Sequence, residues 1–203
     1  MERSAVAVRN LQEEDETLDV VRSTSVHCID FPINLGVASA LQSGFRFALR
    51  HGFNMVVQFD GDGQHIAGEI VKIAGPVQNG ECDIAVGSRE QDKEATSSTA
   101  RRLGSRIIST FLKAFTRQDF KDPTSGFRAY SSEAVERFAS DFPDEYPEVE
   151  SIILAKKYGL TVIEVPVSMR PRMGGQSSIS FYGSWYYMIK VFLASVVMML
   201  RKY

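Results

Sequence analysis

Short apolar runs alternate along this chain with segments of helical period, and that alternation restricts the fold more than any other feature. Val26 to Phe31, Asn54 to Phe59, Asp83 to Val86, Gly126 to Tyr130 and Leu160 to Val167 read as strands. Between them, Gly36 to His51 sets Val37, Leu41, Phe45 and Leu49 four residues apart, the spacing of one helical face. Gly68 to Gln78, about Ala100 to Phe115, Ser131 to Ser140, and Glu148 to Tyr158 read as further helices, the last with Gly159 as C-cap. A polar start leads into a helix from about Asp15 to Arg22. Strands and helices in this order predict an α/β fold: a mainly parallel sheet with helices on both faces. With 203 residues the chain can form one domain with a sizeable core. In such sheets ligands bind beyond the carboxyl ends of the strands.

The strand ending at Phe59 runs into Asp60-Gly61-Asp62-Gly63-Gln64-His65. Side chains two apart on an extended backbone point the same way, so Asp60 and Asp62 converge at the strand's mouth. Like charges there repel unless a cation lies between them. Oxygen donors without a Cys pair favour a hard ion, Mg²⁺ or Mn²⁺, and the flanking glycines admit a ligand close to the backbone. A solvated acidic turn needs no more than Asp and Gly and competes evenly on local grounds. A calcium loop of EF-hand type is excluded, because Gln64 and Val71 stand where it requires Asp or Asn and Glu. A phosphatase of haloacid dehalogenase type, with Asp60 as nucleophile, is a weaker alternative, since Gln64 departs from its motif and no later acidic pair is evident.

The net charge of −2 gives no overall attraction for nucleic acid. Cys28 and Cys82 lack a Cys-x-x-Cys spacing and read as reduced core residues of a cytosolic protein. Met1 to Asn10 lacks the apolar stretch of a secretory signal. In Ser184 to Tyr203, Trp185, Met188, Ile189, Phe192, Leu193, Val196, Val197, Met199 and Leu200 fill one broad helical arc. Lys190, Ser195, Arg201 and Lys202 occupy the remainder. The apolar run is shorter than the ~20 residues that span a bilayer. A broad apolar arc with basic neighbours suits a helix lying in a membrane interface or docked on another protein; packing on the domain's own sheet is the alternative.

The motifs Asn34-Leu35-Gly36, Asp60 to His65, Gly87-Ser88-Arg89, Asp122-Pro123-Thr124-Ser125-Gly126-Phe127-Arg128, Glu164-Val165-Pro166-Val167 and Arg172-Met173-Gly174-Gly175-Gln176-Ser177-Ser178 follow one another in order. In that order they resemble family 2 glycosyltransferases of GT-A fold, in the branch that includes dolichol-phosphate mannosyltransferase and bacterial polyprenyl-phosphate sugar transferases. The resemblance implies a metal-dependent transfer from a nucleotide-sugar to a polyprenyl phosphate or related membrane-associated acceptor, at the cytoplasmic face of a membrane. It implies that Asp60, Asp62 and Gln64 hold the Mg²⁺ or Mn²⁺, with Arg89 joining them at the nucleotide diphosphate. Ser125, Arg128, Arg172 and Ser177 would meet the acceptor, Asp62, Arg128 and Arg172 being the catalytic set and Arg170 a further candidate.

The resemblance departs at the start of the chain. Neither the Pro-x-x-Asn-Glu nor the Asp-Asp-Gly-Ser type motif, which hold base and ribose in that family, occurs before Val26. The expectation is therefore a GT-A-like domain over residues 1–180, shortened at its N-terminus and atypical over 1–22, followed by an amphipathic helix over 181–203. An oligomeric or membrane-protein partner would complete the pocket or cover the helix. A catalytically silent family member that binds a membrane or partner is the competing reading.

Overall fold

The computed structural model describes residues 5–10, 17–89, 99–170, 190, 193–198 and 200. The chain opens with β1 (Val6–Asn10), α1 (Thr17–Arg22) and β2 (His27–Phe31), followed by α2 (Gly36–Arg50) and β3 (Met55–Gln58). Next come a single 3₁₀ turn at Ala67–Glu69, α3 (Ile70–Gln78), β4 (Ile84–Arg89) and α4 (Thr99–Thr116). The remaining elements are β5 (Arg128–Ser131), α5 (Ser132–Ser140), α6 (Pro147–Lys157) and β6 (Val162–Val167). A helical segment follows at 193–198. Ser131 caps α5, its Oγ accepting from the Ala134 N–H, and Gly159 (φ +74°) ends the turn after α6.

The sheet corrects the expectation of a mainly parallel one. Its four-stranded part runs β3-β5-β4-β6, with β5 antiparallel to both β3 and β4, and β4 parallel to β6. The sheet is mixed. The cause is the long return of the chain between α4 and β5, which delivers Arg128 opposite Gln58, at the end of β3, rather than opposite its start. β1 and β2 pair in parallel as a separate two-stranded sheet, a strand the polar opening of the sequence concealed.

Period-two alternation sorts side chains to two cores. Val56, Ile84, Val86, Tyr130 and Val162 face the larger one, shared with α2, α4, α5 and α6. Met55, Val57, Ala85, Ala129 and Ile163 face the smaller one, with Ile73 and Val77 of α3. Helix α2 touches both sheets: a Cβ at Gly44 would meet Val8 of β1, while Phe45 packs edge-on against Tyr130 of β5. Cys82 is buried as expected, and burial pushes its thiol up to about 11. Cys28 is exposed, because β2 lies in the small, half-covered sheet.

The C-terminal segment turns part of its apolar arc outward. Ser195 and Met198 are buried, Met198 within the larger core, while Leu193, Val197 and Leu200 are exposed. The Lys157 ammonium donates to the Met198 carbonyl and ties the segment to the end of α6.

Candidate functional site

β3 ends at Gln58, an amide in an otherwise apolar strand, and its burial is explained by the partner it meets. The Tyr130 phenol donates to Gln58 Oε1 at 2.9 Å. Tyr130 itself is fully buried, and desolvation pushes it up to about 12, so it stays a donor at neutral pH. Above that pair, Asp60 and Asp62 are exposed at the strand's mouth. The Asp60 N–H donates to His65 Nδ1 at 3.0 Å, so the imidazole hydrogen sits on Nε2, 3.8 Å from Asp60 Oδ2. His65 is buried and stacked on Phe127, ring centroids 4.7 Å apart. The Gln64 N–H donates to Asp62 Oδ1, an Asx turn that folds the loop back, with Gly63 at φ +77° where a side chain would be strained.

Two later segments close on this loop. Gly126 lies against it so tightly that a Cβ would stand 2.7 Å from Asp60 Oδ2. The Arg170 N–H donates to the Gln64 carbonyl at 2.8 Å, beside an antiparallel bridge between His65 and Met169. The structure thus brings Asp60, Asp62, Gln64, Ser125 and Arg170 to one edge. Arg172 and Ser177 lie outside the described residues.

The remaining candidates are placed differently. Arg89, half-exposed at the end of β4, grips both oxygens of Asp122, at 2.7 Å from Nε and 3.2 Å from Nη2. That hydrogen bond raises its pKa further above the ordinary arginine value. Asp122 is in turn held by Glu164, whose carboxylate accepts from the Lys121 and Asp122 N–H groups at 2.7 Å each. Ser125 is buried, its Oγ accepting from the Phe127 N–H. Arg128 is 1% exposed and its guanidinium is spent on protein oxygens, not directed to the surface. Sequence reasoning missed Tyr130 and Ser151 as supports of the site and listed Glu164 in a motif without its role of holding the Asp122 backbone. Gln58 carried a readable signal, a lone amide inside an apolar strand.

A divalent ion fits this loop in one specific way. No trio of His, Cys, Asp or Glu side chains able to hold a metal unaided is present among the described residues. Mg²⁺ and its analogues are commonly held by one or two carboxylates with the substrate's phosphates completing the shell. Asp60 and Asp62 supply that minimum, and the bare Cα of Gly126 leaves the Asp60 carboxylate its place.

The model of the glycosyl transferase family 2 matches residues 6–138. The chain belongs to that family. An uncharacterised protein of Methanocaldococcus jannaschii is 32% identical over 75% of this chain and 65% of its own length. Polyprenol monophosphomannose synthase of Mycolicibacterium smegmatis is 29% identical over 76% of this chain and 60% of its own length. The chain therefore spans under two thirds of these curated relatives. Glucosyl-3-phosphoglycerate synthase from Mycobacterium tuberculosis, solved with Mn²⁺, uridine-diphosphate-glucose and phosphoglyceric acid, superposes with a TM-score of 0.73 at 16% identity. That match covers 98% of this chain and 69% of that one, and it shows a GT-A-like fold.

Proposed function

We propose that this protein is a metal-dependent glycosyltransferase that moves a sugar from a nucleotide diphosphate to a polyprenyl phosphate or related membrane-associated acceptor. The observation that carries the reading is the Asp60–Asp62 pair at the mouth of β3, enclosed by Gly126 and by the backbone of Arg170. The names of relatives such as polyprenol monophosphomannose synthase and the Micrococcus luteus undecaprenyl-phosphate mannosyltransferase support the acceptor class.

Asp60 and Asp62 would hold Mg²⁺ or Mn²⁺ together with the donor diphosphate, and the bound ion would neutralise charge developing on the leaving group. Gln64, on the same loop, would add its side-chain oxygen to that set. A phosphate nucleophile carries its own charge near neutral pH, its second pKa being about 6, so the acceptor requires no strong base. It does require relief of repulsion between two anionic substrates. Arginines supply that relief in a fork geometry suited to phosphate: Arg170 beside the loop and Arg89 at the end of β4, with Arg172 and Ser177 following Arg170 in the sequence. The exposed stripe of Leu193, Val197 and Leu200 gives the protein an apolar face to lay on the membrane holding such an acceptor.

Asp62→Asn and Asp60→Asn test the reading directly. Calorimetric titration with Mn²⁺ and a nucleoside diphosphate should show both variants losing metal-dependent binding, Asp62→Asn also losing all transfer. Unchanged affinity in both would reduce the loop to an acidic turn. A silent family member that binds a partner is the second reading, favoured by the separation of β1 and β2 from the main sheet. A thermal-shift screen of nucleotide sugars with Mn²⁺ separates the two, since a ligand at 100 times its Kd adds about 2.7 kcal/mol. A silent protein would show no shift with any of them.

A further inference from the structure

Arg128 opens β5, yet its side chain runs into the protein. Nε donates to the Ser125 carbonyl at 2.7 Å, and Nη1 to Ser151 Oγ at 2.8 Å. Nη2 donates to the carbonyls of Pro123 at 2.9 Å and Glu148 at 2.7 Å. Two of these acceptors belong to the turn that presses Gly126 on Asp60, and two belong to the first turns of α6. Ser151 Oγ also reaches the Glu148 carbonyl, closing the set.

Burying a cation is costly unless its donors are satisfied. A planar fork can bridge several fixed carbonyls at once, whereas an ammonium is a compact point charge that cannot reproduce that geometry.

We infer that Arg128 is a positioning residue, a clamp that locks the start of α6 to the Pro123–Ser125 turn and thereby fixes the backbone against which Asp60 sits. It does this in place of touching a phosphate. The role rests on the reading of the Asp60–Asp62 loop as the metal–diphosphate site. It gives α6, which contributes no ligand to that loop, control over the loop's shape.

Two variants test it: Arg128→Lys, which keeps the charge, and Ser151→Ala, which removes one acceptor at a residue buried out of any ligand's reach. Hydrogen exchange on the whole chain should quicken about tenfold or more in residues 124–128 and 148–151 together, with β4 and β6 unchanged. Mn²⁺ alone, followed by its paramagnetic resonance, should bind several-fold more weakly to both variants. Pyrophosphate added to the Mn²⁺ complexes should show no further loss. A phosphate contact predicts the reverse: Ser151→Ala silent in every measurement, Mn²⁺ affinity intact, and pyrophosphate affinity lost in Arg128→Lys alone. That result overturns the clamp. If the wild-type protein binds no Mn²⁺, the functional reading falls while the clamp is still judged by exchange. Loosening of both segments together then upholds it, and loosening of one or neither overturns it.

Discussion

A Cβ added at Gly126 would lie 2.7 Å from Asp60 Oδ2 and 3.2 Å from Gln58 Nε2. Gln58 is buried and bonded to Tyr130, whereas the Asp60 side chain is 48% exposed, so Asp60 is the group that yields. Gly126→Ala should therefore cost about 1 kcal/mol of stability or less while lowering Mn²⁺ affinity about tenfold, a loss of about 1.4 kcal/mol in binding. A thermal melt and a Mn²⁺ titration on one preparation read both numbers; a stability loss with Mn²⁺ affinity unchanged would mean the loop is only packed there. Glu150 offers a second test, on pH. It is buried at the start of α6, where its Oε2 accepts from the Tyr146 N–H, and burial raises its pKa above the ordinary carboxylate value. The folded state then holds this proton more tightly than the unfolded one. Its stability contribution is complete below the ordinary value of about 4.3 and is lost as pH rises through the folded value. Glu150→Gln keeps an acceptor for Tyr146 and removes the charge. The variant should out-melt the parent near neutral pH, with the gap closing towards about pH 4. A gap that does not change with pH would mean that Glu150 titrates as an ordinary carboxylate.

At the scale of elements, the apolar runs were legible because their lengths and spacing do not depend on partners. Helices α2, α4 and α5 fall within a residue or two of the periodic segments. Strand direction was not legible, since β5 is antiparallel through the path of the loop before it, which no local pattern encodes. The same limit hid β4's full length: the strand read from Asp83 to Val86 continues through Gly87 to Arg89 in the ladder with β6. The glycine is needed there, because a Cβ would crowd Phe127 and Val167 at 3.0 to 3.1 Å. Arg128 shows the limit at the site itself. A motif reports that an arginine is required, and only packing reports which way it points. The C-terminal segment shows it too, because the sequence names an apolar arc and only packing reports that Ser195 and Met198 are turned inward. Replacing Leu193, Val197 and Leu200 with Gln should abolish sedimentation with anionic liposomes and leave the melting temperature almost unchanged. Met198→Ala should instead cost about 2 to 3 kcal/mol of stability. A triple variant that still sediments with liposomes would move the membrane contact elsewhere.

Across the whole molecule, the division of the sheet matters most for what the site can select. β1 and β2 form their own pair, joined to the main sheet through α2, and β3 is the outer strand of the four-stranded part. A two-stranded sheet is marginal alone, so exchange in β1 and β2 should be faster than in β4 and β6. The acidic loop, in contrast, grows from the well-packed end of β3 and is braced by Gly126, His65 and Arg170. Contacts to a diphosphate at this loop would thus rest on the better-packed part of the protein. In the resemblance, contacts to base and ribose come from first strands whose motifs are not recognisable before Val26. The family match nonetheless begins at residue 6, in β1, so the shortening read from the missing motifs is not shown; where base contacts are weak, binding shared by ground and transition states falls more than intrinsic chemistry. The expectation is weak donor binding that discriminates poorly among uridine, guanosine and cytidine diphosphates, each bound through metal and phosphates. Titrating the three with Mn²⁺ present is the measurement, and affinities within about tenfold of one another, or about 1.4 kcal/mol, are the expected result. Tight, selective binding of one nucleotide by a monomer would show that β1 and its neighbours build a complete base pocket, and selectivity would then belong to the small sheet.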